Sequence, residues 1–270
     1  MVLPRYHRQD GRALLLDRRR AGTVAQSLAA LTLAAQGVRD QLSEDVWMVL
    51  AEIERPLAAL AAQPYDRGLQ LSDAGERVLA GLLALAGIVS ENMVRDPGWY
   101  MLDSGRGLER ALQVVALLRA TVCRQHPADA DRIVAEAVLT ASESILTYRR
   151  RYRGRSGIDA LVELLVVDQH NPRSVAYQLL RVEADLRAMP TTSPGSRPLR
   201  LLDGLAERVR TADPSALARS SDGRRTDLEH FLGELHGQLG DLSEAIRTQY
   251  QQPTPTQQPL HEAHLAGGTR

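Results

Sequence analysis

Apolar residues return at intervals of three and four along most of this chain, the spacing of helices rather than the alternation of strands. The densest case runs from about Pro97 to Arg124. There Leu108, Ala111, Leu112, Val115, Leu118 and Val122 mark one face, and Val114 and Leu117 mark a second. A helix apolar on two sides belongs in an interior. Arg110 falls in line with Val114 and Leu117 and is expected to point into the fold, with Arg106 one turn before it on the same side. Two arginines stacked one turn apart need an anion. Glu109 lies on the flank between the faces, so other helices, or a bound ligand, are expected to supply the rest.

The same spacing predicts helices along the remainder. Ala13-Leu14-Leu15-Leu16 is a short apolar segment ending at Asp17, and a helix follows from about Gly22 to Val38. Ser43 reads as an N-cap with Glu44 and Asp45 in the first turn, where the helix dipole favours them. A kink or break is expected at Pro56, and Ser72 is expected to cap the next helix. Asp96-Pro97 should cap and open the central helix, with Trp99 and Tyr100 pinning its start. A second long helix is predicted from Asp129 to Tyr152, ending in an arginine run from Arg149 to Arg155. Ile158 to Val167 reads as a short helix, Asn171 as the cap of another with Pro172 in its first turn, and Pro190 to Pro198 as a linker. Leu199 to Val209 and Thr226 to Tyr250 complete the set, and residues 251–270, rich in Gln, Pro and Thr, are expected to be disordered. The fold class this predicts is all-α, a multi-helix bundle.

Composition narrows the chemistry. All 33 basic residues are arginine, balanced by 33 acidic ones. The absence of lysine removes Schiff-base chemistry and the phosphate-loop lysine, and the neutral balance gives no whole-chain field toward nucleic acid or membrane. The arginine run at 149–155 could touch phosphate, but arginines also favour helix C-termini and solvent. Aromatics are 4% of residues, so leucine, valine and alanine must build the core. Cys123 is the single cysteine, which excludes an internal disulfide and a cysteine-based zinc site. No apolar run reaches the roughly 20 residues of a membrane span, and a cytoplasmic protein is expected.

The chain also matches itself. Leu14-Leu15-Leu16-Asp17 pairs with Leu165-Val166-Val167-Asp168, and Thr23-Val24-Ala25 with Ser174-Val175-Ala176, at one constant offset. This predicts a single helical domain over residues 1–250 built from a degenerate two-fold repeat, about 1–95 and 96–250. The helices at 97–124 and 129–152 have no counterpart ahead of Met1, so the first copy is expected to lack about 50 residues. Apolar faces left uncovered would then call for a partner or self-association.

Gly105-Arg106-x-x-Glu109-Arg110-Ala111, Asp168 with Pro172-Arg173-Ser174, the Tyr148 to Tyr152 arginine segment, and Val38-Arg39-Asp40 followed by Leu42-Ser43 and Trp47 form a set. Together they resemble the bacterial alpha-E family, a helical domain with a Glu-Arg motif. The resemblance covers roughly Leu14 to Tyr250. It departs from the family pattern in lacking an earlier Glu-Arg helix and in carrying Arg20-Ala21 where Asn-Pro is usual. Family members often accompany circularly permuted ATP-grasp ligases and transglutaminase-like proteins, which implies a role near peptide or amide-bond chemistry.

Three functions are compatible with these residues. The first is a non-catalytic accessory module for an ATP-grasp amide ligase, with Arg106, Glu109, Arg110, Asp168 and Arg173 as a polar cluster facing a carboxylate or phosphate. The same cluster could instead be an ion-pair network that fixes helix register. The second is an enzyme, for which neither a phosphate loop nor a paired Glu-x-x-His metal set is present. The third is a free-standing, self-associating interaction protein. No cofactor and no metal are expected.

Overall fold

A computed structural model describes residues 8–63, 68–153, 157–190 and 192–250. The expected disordered tail at 251–270, and Gly154 and Arg155 of the arginine run, lie outside them. Every regular element among the described residues is helical, and pairing of extended chain is limited to isolated bridges at Ser221, Arg224 and Arg124. None of these helices is long and apolar enough to cross a membrane. The chain divides into two compact units, Met1–Trp99 and Tyr100–Arg270.

The first unit holds α1 (Arg8–Leu16), α2 (Val24–Gly37), α3 (Glu44–Ala61) and α4 (Gly68–Glu91). Its core is Leu28, Ala35, Val46, Leu50, Ile53, Leu57 and Val78. The expected break at Pro56 does not occur, and α3 runs through it. Leu50 and Ile53 before the proline and Leu57 and Leu60 after it are all buried, so one continuous apolar stripe offsets the lost hydrogen bond. Ser72 is not a cap either: it lies inside α4, its hydroxyl 3.3 Å from Glu76 Oε1. Arg12 of α1 closes the C-terminal end of α3, donating to the carbonyls of Leu60 and Gln63 at 2.9 Å each.

At the end of this unit Asp96 caps the next helix, α5 (Pro97–Thr121), by accepting the backbone N–H of Trp99 at 2.9 Å. Trp99 is pinned as the sequence suggests. Its indole N–H donates to Val89 O at 3.0 Å and the Arg95 guanidinium stacks 4.1 Å from its ring.

The second unit adds α6 (Ala128–Ala141), α7 (Ile145–Arg151), α8 (Ile158–Val162) running on as a π-turn (Glu163–Val167), α9 (Val175–Ala188), α10 (Arg197–Arg210), α11 (Pro214–Leu217) and α12 (Thr226–Tyr250). Leu161, Val162, Leu164, Leu165 and Val166 are all fully buried, so α8 and its π-turn sit in the core of this unit. α5 is buried on two sides as predicted, through Leu108, Ala111, Val115, Leu118 and Val122 on one and Val114 on the other. The long helix expected over 129–152 is two helices. Glu143 adopts a left-handed φ of 48°, and the N–H of Ser144 bonds back to Leu139 O at 2.8 Å, the pattern of a helix ended by a residue in the left-handed region. Ser142 and Ser144 are buried beneath it, and Asn171 reaches Ser144 Oγ at 3.3 Å and Leu164 O at 2.9 Å. Asn171 is therefore committed inward and does not cap α9; Ser174 does, accepting the N–H of Tyr177 at 3.0 Å.

Matched positions of the two units carry the same local geometry. Thr23 caps α2, its hydroxyl donating back to Asp17 O and accepting from Gln26 N–H at 3.4 Å. Ser174 caps α9 and donates back to Asp168 O. Asp17 accepts the N–H of Arg19, and Asp168 that of His170, both at 2.8 Å. Each hydroxyl thus ties a helix start to the end of the preceding element. Ser174→Ala and Thr23→Ala are each expected to lower unfolding stability by about 1–2 kcal/mol, read by urea denaturation. A loss below about 0.3 kcal/mol at both would show that the ties carry no load.

Candidate functional site

The polar residues of α5 converge on α9, and one glycine lets them do so. At Gly107 a Cβ would meet Val182 Cγ2 at 2.9 Å, so the Val182 side chain seats directly against α5 where any larger residue would displace it. Asp103 and Ser104, one turn before Gly107, are buried at 3% and 1% exposure, and Gln178 and Asp185 of α9 at 1% and 6%. Four polar side chains thus sit in a seam walled by leucine and valine.

Asp103 is its centre. Arg181 of α9 pairs with both its carboxylate oxygens, at 2.6 Å to Oδ1, and Arg106 approaches the same Oδ1 at 3.7 Å. The acid that answers Arg106 therefore comes from α5 itself, and the neighbouring helix contributes a further arginine. Asp185 lies beside Asp103. Burial, then the adjacent charge of Asp103, push its carboxyl up to about 7, against the opposing pull of Arg181 and the Ser104 hydroxyl.

Arg110 is different from its neighbours. It is half-buried, and among the described residues no carboxylate lies within ion-pair distance of it. Burial, then the charges of Arg173, Arg106 and Arg181, hold its guanidinium below the usual arginine range, with Asp103 the one charge pulling the other way. Arg173 reaches this group from the loop before α9, where it pairs with Glu143. Four arginines are thus gathered at one end of the seam around fewer acids than they could bind.

The structure brings Arg106, Arg110 and Arg173 together; Asp168 lies apart from them, and Glu109 meets Arg106 and Arg110 only along the outer surface of α5, with no ion pair to either among the described residues. Glu109 is exposed on the outer side of α5, accepting from Gln113 Nε2 at 2.9 Å. Asp168 ends the π-turn and pairs with Arg151 and the N–H of His170. That contact also accounts for one arginine of the 149–155 run as an ion-pair partner. Sequence reasoning missed Asp103, Ser104, Arg181 and Asp185. Asp103 could have been found, because it stands seven residues before Arg110 on the same helix face. Arg181 and Asp185 could not, since they flank Val182 on a helix whose partner was unknown.

An all-helical protein with an arginine cluster around a buried acid is the class that fold and site define. The chain belongs to the Alpha-E family, described as a predicted alpha-helical domain with a conserved ER motif, which matches residues 4–250. It is 42% identical over 239 residues to the uncharacterized protein Rv2567 of Mycobacterium tuberculosis, covering 87% of this chain and 27% of that protein. The uncharacterized protein Mb2597 of Mycobacterium bovis matches to the same extent. The chain thus spans about a quarter of the length of these relatives. No solved structure matches it.

The seam has a pH signature. Asp185 titrates near 7 in the folded chain against an ordinary 3.8, so between about pH 4 and pH 7 the folded state binds more protons than the unfolded one and stability falls as pH rises. Asp185→Asn removes that loss. Its melting temperature is expected to exceed that of the wild type by roughly 4–8 °C at pH 8, with the gap shrinking at pH 5 and closing only below about pH 4. Parallel pH profiles for the two proteins would contradict the shared-charge seam.

Proposed function

We propose that this chain is a non-catalytic helical module that holds an acidic group for an ATP-grasp-type amide ligase, and that its arginine cluster is the holding site. One observation carries the reading: Arg110 is half-buried among Arg106, Arg173 and Arg181 with Asp103 as its counterweight. Clustered guanidinium groups repel one another, and partial burial weakens the screening by water, so the ligand-free arrangement stores unfavourable energy that a bound carboxylate or phosphate removes. The family's association with ligases and transglutaminase-like proteins supplies the context. The mycobacterial relatives, with most of their length beyond the matched segment, leave room for such a partner in the same polypeptide. The matched caps at Asp17-Thr23 and Asp168-Ser174 support the further reading that the two units descend from one duplicated helical piece.

A second reading, self-association, draws on a separate observation. Leu33 of α2, Met48 of α3 and Leu83 of α4 in the first unit are 60–71% exposed, apolar side chains of the kind a second copy could cover.

Thermal shift with acetate and inorganic phosphate as probes tests the first reading. Wild type is expected to gain stability with rising concentration of at least one of them, beyond a chloride control at equal ionic strength, and Arg110→Gln to lose that gain while remaining folded. Equal shifts in both proteins would remove Arg110 from any binding role. Sedimentation of the same wild-type sample across a concentration series decides the second reading, a constant monomer mass counting against it.

A further inference from the structure

The outer side of α5 carries a shallow, open recess of about 470 Å³ lined by residues of that helix alone, Arg106, Glu109 and Arg110 along its edge. Its floor is Gly105, which is exposed, and where a Cβ would stand there is open space. This separates it from Gly107 two residues on, whose missing side chain is explained by contact with Val182. A glycine inside a helix is unfavourable relative to alanine, and nothing packs against Gly105 to require one. Its effect is to keep the floor clear between the side chains on either side.

The groups around that floor have a definite chemistry. Arg110 has its guanidinium uncompensated, and Arg106 is 35% exposed with only a long 3.7 Å approach to Asp103. Side by side they form a fork for one carboxylate. Met101 and Leu102 line the recess and are partly buried, which offers an apolar surface for a small side chain. Glu109 stands on the same rim. Its negative charge opposes a phosphate dianion and accepts an N–H, and Gln113, which bonds it at 2.9 Å, offers one more amide. A carboxylate, a neighbouring N–H and an apolar side chain occur together on the last residue of a peptide.

We infer that the recess over Gly105 binds the carboxyl-terminal end of a peptide, with Arg106 and Arg110 on the carboxylate, Glu109 on the amide N–H and Met101 with Leu102 against the side chain. The inference rests on the acid-holding reading above and makes it specific. It also fits the needs of an amide ligase, whose acyl substrate is a carboxylate.

The test is titration calorimetry on the full chain with N-acetyl-Ala-Leu, the same peptide with its carboxyl amidated, and inorganic phosphate. The free-acid peptide is expected to bind, and amidation to weaken it at least tenfold, roughly the loss of one charge-assisted contact pair. Gly105→Leu is expected to abolish peptide binding while melting no lower than the wild type, because it fills the recess and improves helix propensity. Glu109→Gln is expected to weaken the peptide and strengthen phosphate. If phosphate binds through Arg110 and the peptide does not, or if Gly105→Leu leaves peptide binding intact, the peptide site is wrong while the acid-holding reading stands. If no acid binds in an Arg110-dependent way, both fail.

Discussion

A carboxylate buried between two helices must be met by positive charge, and the placement of Asp103 imposes that requirement on everything around it. At 3% exposure it is too far from water to be hydrated, so Arg181 is fixed across the seam and Arg106 is drawn toward it. Gly107 makes room for the Val182 side chain against α5 beside this pair. The carboxyl of Asp185 lies against that of Asp103, and one of the two is left favouring its neutral form. The Glu-Arg motif is then the outer half of an arrangement whose inner half is aspartate and arginine.

The arrangement does not end in balance. A structural network would match each guanidinium with an acid, because a charge withdrawn from water without a partner destabilises the fold. Here Arg173 has Glu143, Arg181 has Asp103, and Arg106 shares Asp103 at a distance, which leaves Arg110 surplus. Glu143 adds to the picture. It is held in a left-handed conformation that disfavours non-glycine residues, and its carboxylate is what answers Arg173. The left-handed residue that ends α6 and the surplus charge of Arg110 thus occur within the same few side chains.

The helices were legible because leucine, valine and alanine fall on helical spacing over most of the chain, and the double-sided burial of α5 was legible from Leu108 to Val122 for the same reason. Pro56 and Ser72 were misread because local propensity yields to a continuous buried stripe. The break at 142–144 was hidden by an apolar pattern that runs on across it; its cause is tertiary, since Asn171 bonds the buried Ser144 from a loop nearly thirty residues away. The site was half legible. Arg106 and Arg110 declared themselves by their place in line with apolar residues, and Asp103 could have been added on the same argument. Arg181 and Asp185 belong to a helix whose contact with α5 is a fact of packing. Glu109, the named half of the motif, faces outward, and sequence spacing alone could not separate it from its inward neighbour.

The central claim is that Asp103 holds the seam together whereas Arg110 is carried at a loss. Urea unfolding at pH 8 without added anion tests it most directly, in an Asp185→Asn background so that no second carboxyl can take over. In that background Asp103→Asn is expected to lower stability by about 3 kcal/mol, as removal of one member of a buried pair does, and Arg110→Gln to leave it unchanged or to raise it. An Arg110→Gln loss as large as that of Asp103→Asn would make Arg110 a structural member of the network and would contradict the account.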